Sequence, residues 1–412
     1  MPHPFLGLGF TSPLFSKFIR EEEEALLELT TKSDTTSYEI EITSTGGTWT
    51  YTIDWGDGNI NSYNHGNTGS SKPSHTYSSA GVYEIKIDPV APTDHLFCNL
   101  QGSQDAKITM VDGKGSSYWT SVGGAFDFCS NLESVSSSLD TSNCTSWLGT
   151  FYGNSKLNPM PLLDTSSGED FGFCWTNCSS LQSFPSIDTS SATSFGVAWS
   201  GCTGLTGAFP QLDMGEVLNA EQCWYNCNQL TSFPAMNSAK CTKFEAAWMN
   251  CTGLTSFGQV DTSACTNFVN AWRNCTGLTI MPDLNYSSGT LFSYAWMGCT
   301  GLTQFGAGVD PYEMAASTFF YDAWRGCTNL ADFDGGALYG SAAFRFNNAW
   351  RDCPNLNPAS IESILTTLDN NGVSNGNAGF GGTTTPESAW TATALAAKTS
   401  LVNKGWTIDS NP

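Results

Sequence analysis

The phrase WRNCTGLT at 272–279 appears as WMNCTGLT at 248–255 and again as WMGCTGLT at 296–303, and this repetition restricts the fold more than any other feature. An aromatic residue, a Cys three places on and a Leu three places later recur as Phe126/Cys129/Leu132, Trp175/Cys178/Leu181, Trp199/Cys202/Leu205, Trp224/Cys227/Leu230 and Trp248/Cys251/Leu254. The series continues with Trp272/Cys275/Leu278, Trp296/Cys299/Leu302, Trp324/Cys327/Leu330 and Trp350/Cys353/Leu356, while the copy from Phe151 to Leu157 has Asn154 in the Cys place. Copies follow one another every 24 or 25 residues up to Trp296, then after 28 and 26. A unit this short cannot bury its apolar side alone, so successive units must stack, Trp over Trp and Cys over Cys.

Phe244, Ala247, Trp248 and Cys251 fall at i, i+3, i+4 and i+7, a spacing that predicts one buried face of a short helix. LTSF at 254–257, between Gly253 and Gly258, predicts a short strand, and DTSACT at 261–266 supplies turn chemistry before the next copy. The expected architecture is an α/β solenoid with one short strand and one short helix per coil, about ten coils and about 48 Å long at a strand spacing of about 4.8 Å. In such a stack the Cys is a small buried hydrophobe rather than a reactive thiol.

The unit DTSACTNFVNAWRNCTGLT resembles the BspA-like class of leucine-rich repeats, with Asp261, Thr262, Ser263, Thr266, Phe268, Trp272, Cys275 and Leu278 in the matching places and Trp for that family's usual Phe. The resemblance covers about 125–356. It implies a leucine-rich-repeat solenoid for adhesion or recognition, a Cys or Asn that bonds neighbouring backbone, and no reaction.

Ahead of the repeats, 33–90 contains three alternating patterns, YEIEIT, TWTYTIDWGDGN and HTYSSAGVYEIKI, that predict a small all-β sandwich. Trp55-Gly56-Asp57-Gly58, His75-Thr76-Tyr77 and Gly81-Val82-Tyr83 resemble the polycystic-kidney-disease-type (PKD-like) immunoglobulin-like domain, a spacer of surface proteins. The expected organisation is therefore 1–32 as an attachment segment with a helix over 13–29, 33–90 as the PKD-like sandwich, and 91–124 as a linker that caps the repeats. The repeats occupy 125–356, and 357–412 forms a C-terminal cap. In the cap, Asn357-Pro358 opens a helix, 370–386 is a loop, an Ala-rich helix ends near Gly405, and Trp406–Ile408 is a strand. Its closing LVNKGWTI resembles the end of BspA-like arrays in phage and environmental viral proteins.

A net charge of −22 repels phosphate backbones, which argues against nucleic-acid partners. With no apolar run of 18 residues, no membrane span is expected. The opening MPHPFLGLGFTSPLFSKF is a poor match to a secretory signal, having no basic residue before its apolar stretch. All four His (His3, His65, His75 and His95) precede the repeats, which removes a Ser/His/Asp or Cys/His centre from the array itself. Zinc at Cys174/Cys178 or Cys223/Cys227 lacks four converging ligands, and calcium at Asp54 and Asp57 lacks six oxygens, so no metal and no cofactor is expected. GKGSS at 113–117 lacks phosphate-loop spacing. Asn177, Asn250 and Asn274 fit glycosylation acceptors, but their place beside the buried Cys makes them turn closers.

Recognition is expected where the units differ. The residue after each Trp reads Thr176, Ser200, Tyr225, Met249, Arg273, Met297, Arg325 and Arg351, a row expected to face outward, and its last six members are the candidate ligand-binding residues. The column Thr231, Thr255, Thr279 and Thr303 is expected on a sheet surface able to meet glycan hydroxyls. Phe5, Leu6, Phe10, Phe15, Phe18 and Ile19 are the candidate attachment residues. These readings converge on a non-enzymatic virion surface protein, a fibre, tail-tip or head-decoration component. Its expected partners are other virion proteins at the N-terminus and a host surface protein or glycan; a homo-oligomer is compatible. The alternatives are a bacterial cell-surface or secreted adhesin and, from another class, a carbohydrate-active enzyme using repeat carboxylates.

Overall fold

The computed structural model describes residues 27–33, 37–39, 41–44, 49–65, 69–71, 73–89, 96–99, 108–112, 120–160, 162–281, 284–306 and 314–412. The candidate attachment residues and most of the helix expected over 13–29 lie outside them. Residues 27–29, the end of that helix, belong instead to strand β1 (Leu27–Ser33).

The front of the chain is built from β1, β2 (Ser37–Glu39), β3 (Glu41–Ser44), β4 (Trp49–Asp54), β5 (Ile60–His65), β6 (Gly69–Ser71), β7 (Ser74–Thr76), β8 (Gly81–Pro89), β9 (Leu96–Asn99), β10 (Ile108–Asp112) and β11 (Ser134–Val135). Its main sheet has the order β11-β10-β1-β8-β4-β5, with β6-β3-β9 and β2-β7 as smaller sheets. Tyr51 and Ile53 of β4 and Trp55 just beyond it alternate inward and meet Ile85 and Ile87 of β8 in the buried interior. Two strands, β9 and β10, fall where a linker over 91–124 was expected, because β9 pairs antiparallel with β3 and β10 antiparallel with β1. The main sheet also runs into the repeats, since β10 pairs in parallel with β11 of the first copy.

Beyond residue 120 the units follow one another in register. Parallel bridges join Ser121, Ser146, Asp170, Ser194, Asn219, Lys243, Asn267, Leu291, Phe319 and Arg345, each to the next, one per unit. The Trp segment within each unit is a run of turns, which corrects the expected helix. Ala247, Met249 and Cys251 donate to the carbonyls of Phe244, Ala246 and Trp248, three residues back. The residues between them, Phe244, Ala246, Trp248 and Asn250, donate to Asn267, Val269, Ala271 and Arg273 of the next unit. A helix would use every N–H along its own axis; here half of them tie one unit to its neighbour. The alternation requires left-handed backbone two residues before and two after the core aromatic. Ala246 has φ 50°, Asn250 φ 64°, Asn270 φ 57° and Asn274 φ 61°.

The strand expected in every unit is also only partly formed. It is present in β12 (Gly207–Ala208), β13 (Leu230–Phe233) and β14 (Ser256–Phe257), which pair in parallel, and in the pair β15 (Gln304–Phe305) and β16 (Asp332–Phe333). Pro159 occupies the corresponding stretch of an earlier unit, at the place of Ser232 in β13, and has no N–H for such a ladder.

Three aromatic columns fill the interior. Indole rings from Trp175 to Trp350 stack one on another with centroids 5.0–6.0 Å apart and planes within 12°. Phe171, Phe195, Phe244, Phe268, Phe292, Phe320 and Phe346, four residues before seven of the eight Trp, line one side, with Ala220 in that place before Trp224. Phe184, Phe209, Phe233, Phe257, Phe305 and Phe333 meet the indoles edge-on from the other.

The ladder does not stop at 356. β17 (Arg345–Phe346) pairs in parallel with β18 (Asn377–Phe380), and β18 with β19 (Thr407–Ser410). Thus the stretch expected as a loop over 370–386 contains a strand that extends the stack, and Phe380 covers Trp350 at 5.0 Å. Helix α1 (Pro358–Asn370) starts where Asn357 accepts the N–H of Ser360, and it buries Ile361, Ile364, Leu365 and Leu368; α2 (Ala392–Asn403) packs beside it.

Candidate functional site

The Cys column is part of the interior. Eight of its thiols donate to the carbonyl of the preceding unit's core aromatic, among them Cys202 to Trp175 at 3.0 Å, Cys251 to Trp224 at 3.1 Å and Cys275 to Trp248 at 3.0 Å. Asn154 performs the same task, its Nδ2 reaching the carbonyl of Phe126 at 3.0 Å. Burial pushes the Cys202, Cys251 and Cys299 thiols up to about 12 and holds Cys227 and Cys275 well above the ordinary thiol value, so nucleophilic chemistry is suppressed along the column.

The row after the Trp is less exposed than its pattern implied. Thr176 and Ser200 are buried, and Tyr225, Met249, Arg273, Met297, Arg325 and Arg351 are half-buried. The turn that follows lays the row along the neighbouring units, where it finds partners. Arg325 pairs with Asp322 at 3.1 Å and approaches Asp352 at 3.8 Å; Arg351 lies near Asp352 and Asp409. Arg273 bonds Asn270 and lies over the Tyr294 ring. These cations hold the surface of the stack together and leave less charge for a ligand than the sequence suggested.

The Asn column closes turns. Asn177, Asn226, Asn250 and Asn274 all have left-handed φ, and Asn274 donates to Asn250 and Asn250 to Asn226 as an amide ladder. Repeated Asp residues accept the N–H two places on, as Asp188 does from Ser190 and Asp261 from Ser263, which commits these carboxylates to turns.

Thr231, Thr255, Thr279 and Thr303 are exposed, and Thr255 and Thr303 donate to the carbonyl one unit back. Their column continues through Thr206 and Gln182 into an open groove of about 620 Å³ lined by Glu133, Lys156, Asn158, Gln182, Thr206 and Gln229, among others. The groove opens beside Pro159, and there the N–H of Gln182 turns to the Asn158 side chain.

In the front sheets, Asp54 and Asp57 serve a turn. Asp54 accepts from Gly56, and Asp57 accepts from Asn59 and lies 2.7 Å from Nε2 of His75. Among the described residues no cluster of His, Cys, Asp and Glu could hold a metal ion, and no helix is long and apolar enough to cross a membrane.

No protein-family model, curated protein or solved structure matches the chain.

Sequence reasoning missed the outward residues of the bridge ladder itself. Phe319, Tyr321 and Arg345 stand five or three places before a core Trp, in TFFYDAW and FRFNNAW, where inward Phe320 and Phe346 alternate with outward neighbours. That two-residue alternation was the available signal. The helical reading of the same stretch concealed it.

Proposed function

We propose that the chain is a non-enzymatic recognition and structural protein of BspA-like leucine-rich-repeat and PKD-like type, working as a fibre, tail-tip or head-decoration component of a virion. One observation carries the reading. The interior repeats almost without change from Trp175 to Trp350, while the outward residues differ from unit to unit, so the stack works as a rigid mount for a variable surface. A second observation favours a virion over an exported adhesin. Eight of the column thiols donate to a carbonyl, an arrangement that requires reduced Cys and suits a protein folded and assembled in a reducing cytosol.

Mass spectrometry of the native protein's N-terminus, recorded together with the fraction in which it is found, tests the reading. Purified particles carrying a start at Met1 or Pro2 are the expected result. A start near residue 30 in a cell envelope or secreted fraction would replace the virion reading with the adhesin.

A further inference from the structure

Arg345 stands apart from the other arginines of the stack. It is exposed, and its guanidinium carbon lies 5.6 Å from the centre of the Phe319 ring and 5.2 Å from that of Phe344. Its Nη1 donates to the Tyr321 hydroxyl at 2.7 Å. Ring contacts and this bond hold the guanidinium in place, yet among the described residues no carboxylate lies within ion-pairing distance of it. On a chain of net charge −22, where Arg325 and Arg351 both lie against aspartates, Arg345 is held by rings and a phenol and presents its charge to solvent, where an anionic group can meet it.

The surroundings narrow the ligand. Nε and Nη2 remain to meet a planar carboxylate as a fork, and Tyr321, which accepts from Arg345, keeps its own proton to donate. Phe344 is 36% exposed and Phe319 half-buried, so both offer ring surface to C–H groups. Beyond Arg345 the ladder continues with Asn377, whose Oδ1 is taken by the N–H of Phe346, leaving its NH₂, and with exposed Thr407. A carboxylate fork, ring surface and a row of neutral hydrogen-bonding groups match one ligand chemistry.

We propose that Arg345, Tyr321, Phe319 and Phe344 bind the carboxylated sugar, a uronic or sialic acid residue, of a surface glycan. The proposal rests on the recognition reading above and supplies its ligand class. An acidic peptide would satisfy Arg345 but would leave the hydroxyl-matching row beyond it unused.

The test is titration calorimetry of the full chain with tetragalacturonate and 3′-sialyllactose, with neutral tetragalactose and lactose as counterparts and tetraglutamate as the peptide probe. At least one acidic sugar should bind, and its neutral counterpart at least tenfold more weakly. Arg345→Gln should lose at least tenfold and Tyr321→Phe a smaller factor, while Arg345→Lys should recover only part because it lacks the fork. Unchanged circular dichroism would show that these surface variants fold. Equal affinity of the native chain and Arg345→Gln, tetraglutamate binding as tightly as the better acidic sugar, or no binding of either acidic sugar would each overturn the proposal. The virion reading is tested separately by the fractionation experiment, so failure here removes the carboxylate site alone.

Discussion

Each Trp of the column buries an indole whose N–H has no hydrogen-bond partner, from Trp175 through Trp350. An unsatisfied buried donor costs about 1–3 kcal/mol, while the stacked ring contributes its area and about 0.5–1.5 kcal/mol per aromatic pair. The two terms separate by substitution. Trp272→Phe keeps a ring and removes the orphan donor, so it should change stability by no more than about 1 kcal/mol, whereas Trp272→Ala should cost about 3–5 kcal/mol in urea unfolding. The thiols give a second residue-scale outcome. An unfolded Cys ionises near its ordinary value of 9, but burial keeps Cys202, Cys251 and Cys299 protonated up to about 12. Unfolding therefore releases protons between these limits. Stability should be full below pH 9 and fall as pH rises toward 12, by about 1.4 kcal/mol per pH unit for each such thiol. Thermal unfolding followed from pH 7 to 11 checks the direction, and a flat profile would place the thiols in contact with water.

At the scale of the unit, the sequence revealed the buried face more fully than the backbone that carries it. Phe244, Ala247, Trp248 and Cys251 are all buried, as their spacing implied, because a run of turns bonded three residues back returns side chains to one face much as a helix does. Spacing alone therefore cannot separate the two. The separating signal was the Asn or Gly before seven of the column Cys, at Asn177, Gly201, Asn226, Asn250, Asn274, Gly298 and Gly326, all with φ of 61–74°. Gly201 is confined on two counts, since its φ is 74° and an added Cβ would lie 2.2 Å from Oδ1 of Asn177. Gly201→Ala should destabilise by about 1–2 kcal/mol or more, and Asn250→Ala by more than Asn250→Gly, because glycine retains the left-handed backbone. Denaturant midpoints of the three variants test this order. The outward alternation at Phe319, Tyr321 and Arg345 went unread for the same reason: the helical spacing of the buried face concealed it.

Across the whole molecule, inter-unit hydrogen bonds and the aromatic columns make neighbours depend on one another, and the last units depend on the C-terminal segment. Phe380 covers Trp350, and β18 satisfies backbone of the unit before it, as in the bond from Trp350 to Gly379. A chain ending at residue 356 should expose that end and self-associate, as light scattering after size exclusion would record. Both helices and the last strand of this segment were signalled in the sequence but β18 was not, because Gly376 and Gly379 in NGNAGF read as loop. Built on, they are close approaches: a Cβ at Gly379 would lie 2.4 Å from the Asn348 backbone, and one at Gly376 2.6 Å from the Trp406 ring. The most direct test of the stacked interior is native hydrogen exchange read by mass spectrometry across 122–380. Amides that donate to the next unit, such as Phe244, Ala246, Trp248 and Asn250 and their counterparts in each repeat, should exchange together and slowly, as one cooperative block. Rapid exchange of these amides, unit by unit and independently of their neighbours, would contradict it.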